Sequence, residues 1–167
     1  MKSSKLSIDK WVDELDRYSE DQLVTQPASG TWSIGQLYLH LLDDTAFYVT
    51  QIHICVSTNE FADEKMSDFG LTLFASKSFP DQRIEGASSN ASIPQPANKE
   101  TIRKRLRELR SALQSAETML LETNLHGKTK HPGLGYFNAE EWLQFADMHF
   151  RHHLRQKKRI DAFLQLQ

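Results

Sequence analysis

Two histidines four residues apart, His149 and His153, fall inside a stretch from Asn138 to Leu164 that reads as one long helix. On a helix they lie one turn apart on the same side. That side also carries Trp142, Ala146, Ile160 and Phe163 or Leu164 at helical spacing, so it is the side expected to face a core. Burying an imidazole costs free energy unless its nitrogens find partners, and a metal ion is one such partner. Zinc or nickel takes neutral imidazole well, and three protein ligands leave positions open for water or substrate. His40, between Leu37 and Leu41 on another helical stretch, is the candidate third ligand. The competing reading is a set of ordinary histidines hydrogen-bonded to neighbours, because H-x-x-x-H recurs in many helices. No Glu follows His149, so the H-E-x-x-H signature of zinc proteases is absent.

The other histidines fit less well. His152 adjoins His153 but points about 100° away round a helix, toward the surface or the edge of the site. His53 is thirteen residues beyond His40, about 20 Å along a helix. His126 and His131 fall in turn-rich sequence, where capping or solvent exposure is expected. Three polar residues are candidates to support the ligands. Asp44 and Gln36 lie one turn after and one turn before His40, and Gln156 lies one turn beyond His152 and His153. Asp44 could orient an imidazole or a water, or simply be solvated. Capping competes with a pocket role for Gln36, and a surface role competes for Gln156.

Four helices must position these groups. Ser7 or Asp9 can cap a first helix from about Ile8 to Tyr18, with Leu6, Trp11, Leu15 and Tyr18 as its apolar face. Ser19 and Gln22 resemble a second cap, and residues 26–30 read as a loop. Ser33 with Gln36 makes a capping box for a helix through Leu37, Leu41, Tyr48, Ile52 and Cys55, ending near Ser57 or Asn59. A third helix runs from about Asn98 to Glu122, capped by Asn98 or Thr101 and ended by Asn124 and Gly127. Its Ile102, Leu106, Leu109, Leu113, Ala116 and Leu120 alternate spacings of four and three, the seam of a bundle. Asn138 with Glu141 caps the last helix. No run of strand alternation stands out. Residues 58–98 are irregular, and forty residues is too long for an ordinary loop; they are expected to cover one end of the core and to reach the mouth of a site.

With 167 residues, 39% apolar and 25% charged, the chain has the length and balance of a single soluble domain, residues 1–167. A net charge of −2 gives no global signal for nucleic acid. The basic face of the third helix (Arg103, Lys104, Arg105, Arg107, Arg110) and Arg151, Arg155, Lys157, Lys158 and Arg159 on the last could meet an anionic partner. Without interleaved aromatics they read instead as solvated faces. No apolar run reaches the length of a membrane span. The first residues lack the apolar core of a secretory signal, and one cysteine, Cys55, precludes an internal disulfide. Both point to a cytoplasmic setting with Cys55 as a buried thiol.

Three segments together resemble the DinB-like metalloprotein superfamily: Thr31-Trp-Ser-Ile-Gly-Gln-Leu-Tyr-Leu-His40-Leu, His131-Pro-Gly-Leu-Gly-Tyr-Phe-Asn-Ala-Glu-Glu-Trp142 and Met148-His149-Phe-Arg-His-His153-Leu-Arg-Gln156. The resemblance is to an uncharacterised branch related to bacillithiol S-transferases. It implies an all-α four-helix bundle of up-down-down-up order, whose long crossover residues 58–98 would supply. It also implies a three-histidine metal site, matched here by His40, His149 and His153. Relatives such as the bacillithiol S-transferases and the mycothiol-dependent maleylpyruvate isomerase imply a metal that holds a low-molecular-weight thiol as thiolate. The implied function is metal-dependent thiol S-transfer to a small electrophilic substrate, and a homodimer is compatible with it. A metal-dependent hydrolase without a thiol cofactor and a non-enzymatic binding module are the alternatives. Fold alone does not choose among them.

Overall fold

The computed structural model describes residues 7–81 and 92–166. Its helices are α1 (Ser7–Glu14), α2 (Glu20–Val24), α3 (Ile34–Cys55), α4 (Asp68–Ser76), α5 (Lys99–Glu122) and α6 (Ala139–Phe163). A 3-10 turn, Leu15–Arg17, extends α1, so the expected first helix reaches Tyr18 with its last turn tightened. Ser7 and Asp9 lie inside α1 rather than capping it: the Ser7 amide donates to Asp147 Oδ1, and Asp9 pairs with Arg110. Leu6 and residues 82–91 of the crossover lie outside the described residues.

Side-chain caps set the starts of α2, α3, α5 and α6, as Ser67 does that of α4. Ser19–Gln22, Ser33–Gln36 and Asn138–Glu141 each form a full capping box, and Asn98 rather than Thr101 caps α5. The third helix ends by turning extended at Thr123, not at Asn124 or Gly127. Gly127 is needed instead for its close approach to the end of α3, where a Cβ would meet Thr58 O at 2.6 Å. α3 stops at Cys55, a little short of the expected Ser57 or Asn59.

Contacts between helix ends fix the topology. Asp9 meets Arg110 and Asp16 meets Arg103, so α1 and α5 run antiparallel. Ser33 at the start of α3 donates to Gln95 just before α5, and Thr123 at the end of α5 donates to Val56 at the end of α3. α3 and α5 therefore run parallel. Tyr48 packs on Trp142 while His40, nearer the start of α3, meets His153, so α3 and α6 are antiparallel. The order is up-down-down-up, built from α1, α3, α5 and α6. Because α3 and α5 are parallel, the chain must travel back the length of a helix of 22 residues, about 33 Å. The long crossover does this.

The crossover is tied down at several points. α4 is capped by Ser67 and ends on Lys77 in the left-handed region. Ahead of it, Lys65–Ser67 hydrogen-bonds to a small hairpin, β1 (Thr129–His131) with β2 (Gly135–Phe137), which the sequence pattern did not reveal. At Gly135 φ is +81° and a Cβ would stand 2.6 Å from Ser67 N, so this junction closes only on glycine.

The core runs the length of the bundle, with Trp11, Trp142, Tyr18 and Tyr38 fully enclosed. The first half of α3 is buried nearly all round, from Ile34 to Leu42, because α2, α5, α6 and the Gln95–Pro96 segment cover it. That places His40 in the interior. The α5 seam is buried as far as Ala116, while Phe163 is exposed at the end of α6. The basic residues of α5 are largely engaged within the bundle: Arg103 with Asp16 and Glu100, Arg105 with Asp43, Arg110 with Asp9. Lys157 departs from the expected solvated face altogether. It is buried, its amine pairs with Glu14 and with Asp161 Oδ2 at 2.7 Å, and Asp161 accepts the Tyr18 hydroxyl at 2.5 Å. Among the described residues, no helix is long and apolar enough to cross a membrane.

Candidate metal centre

α3 and α6 bring the three sequence-predicted histidines together. His40 comes from the second turn of α3, and His149 and His153 from successive turns of α6. Their Nε2 atoms lie 3.1 Å apart in all three pairs. His40 and His149 are buried and His153 is half-buried. Three nitrogens each about 2.1 Å from one ion stand about 3.0 Å apart at right angles and about 3.4 Å apart in a tetrahedron. The observed separations fall between these limits.

Electrostatics suits the same purpose. Burial, then the neighbouring imidazoles of His153 and His40, holds His149 well below its ordinary pKa. Burial, then His40 and His152, brings His153 down to about 3. At neutral pH both are uncharged and carry a lone pair, as a metal ligand must. Neutral rings satisfy one another poorly here, since each offers one N–H and three Nε2 atoms converge on one point. A cation at that point would satisfy all three. His149 Nδ1 is buried with no hydrogen-bond partner among the described residues.

The three supporting candidates separate. Gln156 Oε1 lies 3.1 Å from His153 Nδ1, so that nitrogen donates and Nε2 is left as the lone-pair atom. Asp44 Oδ2 stands 3.7 Å from His40 Nε2 and 3.8 Å from His149 Nε2. Burial, then Asp43, raises the Asp44 carboxyl to about 6, against the lowering effect of a hydrogen bond from the Tyr48 hydroxyl. Gln36 does not join the site. Its Oε1 accepts from the Ser33 amide, and its Nε2 donates to Ile93 O at 2.7 Å, so it caps α3 and ties down the crossover.

The sequence pattern missed the aromatic surround. Trp32 lies 5.0 Å from the His40 ring, Tyr48 5.8 Å from His149, and Phe79 of the crossover 5.0 Å from His152 and 6.3 Å from His149. The crossover thus reaches the site. His152 is half-buried beneath Phe79 at its edge.

His131 corrects another expectation. It sits on β1 rather than in a solvated loop, stacked on Phe137 and in edge contact with Phe145. Burial brings its pKa down to about 4. The unfolded chain, at the ordinary value of about 6.5, therefore binds a proton before the folded chain does. Its contribution to stability is complete above pH 6.5 and is lost as pH falls toward 4. Discounted for partial exposure, the loss is about 2 kcal/mol. Urea midpoints at pH 7 and pH 4.5 should fall less in His131→Gln than in the parent; an equal fall would refute this account.

Three imidazoles converging from facing helices are an arrangement by which helical bundles hold metal ions. The chain belongs to the DinB superfamily, whose family model matches residues 6–156. Its fold is similar to a solved structure, YfiT from Bacillus subtilis, described as a probable metal-dependent hydrolase with an unusual four-helix bundle topology. That match has a TM-score of 0.55 and 16% identity, and it covers 100% of this chain and 93% of the other. At such identity the likeness speaks for the fold alone. No curated protein matches the chain.

Proposed function

We propose that this protein is a divalent-metal-dependent enzyme that activates a small nucleophile, with hydrolysis of a small electrophilic substrate as its reaction. One observation carries the reading: three Nε2 atoms 3.1 Å apart beside the carboxylate of Asp44. His40, His149 and His153 would hold zinc or nickel. Such a cation lowers the pKa of a water or thiol bound to it and polarises an electrophile.

The chain's own groups do the rest. Gln156 holds the His153 ring in the tautomer that offers Nε2. A further ligand atom on the same ion would lie about 3.0–3.4 Å from adjacent nitrogens. Asp44 Oδ2, at 3.7 and 3.8 Å, stands just outside that range, where it can accept a proton from a nucleophile instead. The Tyr48 hydroxyl beside Asp44 favours its charged carboxylate form.

Thiol S-transfer to the same substrate class is the second reading, because the donor set suits a thiolate as well as a hydroxide. Cys55 is buried about 22 Å along α3 from His40, so the thiol would come from a separate low-molecular-weight cofactor. Hydrolysis ranks first because a thiol held by a cation releases its proton to bulk water near neutral pH, whereas a bound water gains more from the acceptor that Asp44 provides.

Elemental analysis of tag-free protein, followed by ester-hydrolysis and thiol-conjugation assays with and without chelator, tests this. One equivalent of zinc or nickel with chelator-sensitive turnover supports the reading, and the assay that responds chooses the reaction. No metal after reconstitution would sink it. Gln156→Leu should retain the site but weaken metal affinity about 10–100-fold, as read by competition with a chromogenic chelator. Unchanged affinity would show that Gln156 does not orient His153.

A further inference from the structure

The three histidines lie between two half-buried aromatic rings from segments outside the long helices. Trp32 precedes the cap of α3 and lays its ring 5.0 Å from His40, tilted 44° to it. Phe79 follows α4 in the crossover and lies 5.0 Å from His152 and 6.3 Å from His149. Phe79 is backed by Phe145 at 5.3 Å, and Tyr48 closes the His149 side at 5.8 Å. The two rings thus approach the cluster from the His40 side and from the His149–His152 side.

Rings this close to the cluster limit water at the site and lower its local dielectric. The part of each ring that stays exposed at the rim keeps apolar surface in water, at a free-energy cost that a partner would remove. A flat apolar ligand supplies one through offset or edge-to-face contacts, which add to the gain from simple burial.

We propose that Trp32 and Phe79 form the walls of a substrate site that takes a flat apolar group, an aromatic ring foremost, attached to the polar end that meets the three histidines. This rests on the metal reading above and deepens it by naming the substrate class. Asp44 and Gln156 serve the polar end; the rings select what is joined to it.

The test compares benzohydroxamate with acetohydroxamate on the zinc-loaded, tag-free full-length chain by titration calorimetry. Both chelate through the same two oxygens and differ in the ring. The parent should bind benzohydroxamate at least tenfold more tightly. In Phe79→Ala, and separately in Trp32→Leu, that ratio should fall to about threefold or less with zinc content unchanged. Phe79 lies in the crossover, so its variant keeps the test alive should Trp32→Leu fail to fold. Equal affinities in the parent at one equivalent of zinc would overturn the aromatic site and leave the metal centre standing. A preference unchanged in folded variants would overturn the assignment to these rings. A chain that takes up no zinc would overturn both readings at once.

Discussion

Alanine at His149 is expected to abolish stoichiometric zinc or nickel binding while leaving the helical bundle folded. Complete structural zinc sites contribute about 10–16 kcal/mol across four ligands, so one ligand is worth about 3 kcal/mol, a hundredfold or more in affinity. His40→Ala and His153→Ala should behave alike, because the three Nε2 atoms are equivalent in separation and no pair can close the site. Dialysed variants should carry background metal by elemental analysis. Added metal at about one hundred times the parent's dissociation constant should stabilise the parent by about 2.7 kcal/mol and the variants by far less. His152→Ala is the internal comparison. His152 adjoins His153 in sequence, yet it is absent from the converging set, so its loss should leave stoichiometry intact. A full equivalent of metal in His149→Ala would refute the site.

The second large effect lies away from the metal centre. Lys157 is 3% exposed and lies between Glu14 and Asp161, where it joins the end of α1 to α6. Removing one partner of a buried pair leaves uncompensated charge and typically costs about 3–5 kcal/mol. Lys157→Ala should therefore lower the denaturant midpoint by that much. Lys157→Met keeps most of the side-chain bulk and should cost nearly the same if the stranded carboxylates are the cause. Lys158→Ala, one residue on and exposed, should stay within about 0.5 kcal/mol of the parent. If the Met variant recovers most of the loss, packing rather than charge holds this end together.

The Lys157 contrast shows where sequence pattern stops. Arg155, Lys157, Lys158 and Arg159 read alike as one basic stretch, because a charge in a sequence carries no record of the carboxylate it will meet. Glu14 lies in a different helix, and only the parallel docking of α1 on α6 brings it to Lys157. His131 misled for a related reason. A Gly-Pro-rich stretch with three-residue strands is too short to show alternation, and the Lys65–Ser67 segment that hydrogen-bonds to the hairpin arrives from the crossover.

The sequence by itself determined what depends on neighbours within a few residues. It determined the capping boxes at Ser19, Ser33 and Asn138, a cap at Asn98 or Thr101, the α5 seam, and the pairing of His149 with His153 on one face. Backbone hydrogen bonding and helical periodicity are local, and residue types record them directly. The motifs also carried the family, and with it the bundle and the choice of His40. Only the tertiary structure decided what depends on helices meeting. It set the 3.1 Å convergence of three rings, and it separated Asp44 and Gln156, which face them, from Gln36, which caps. It also placed Trp32 and Phe79 beside the site. Those outcomes follow from the direction in which α3 and α6 pack and the route by which the crossover returns, and neither is written in the spacing of any one helix.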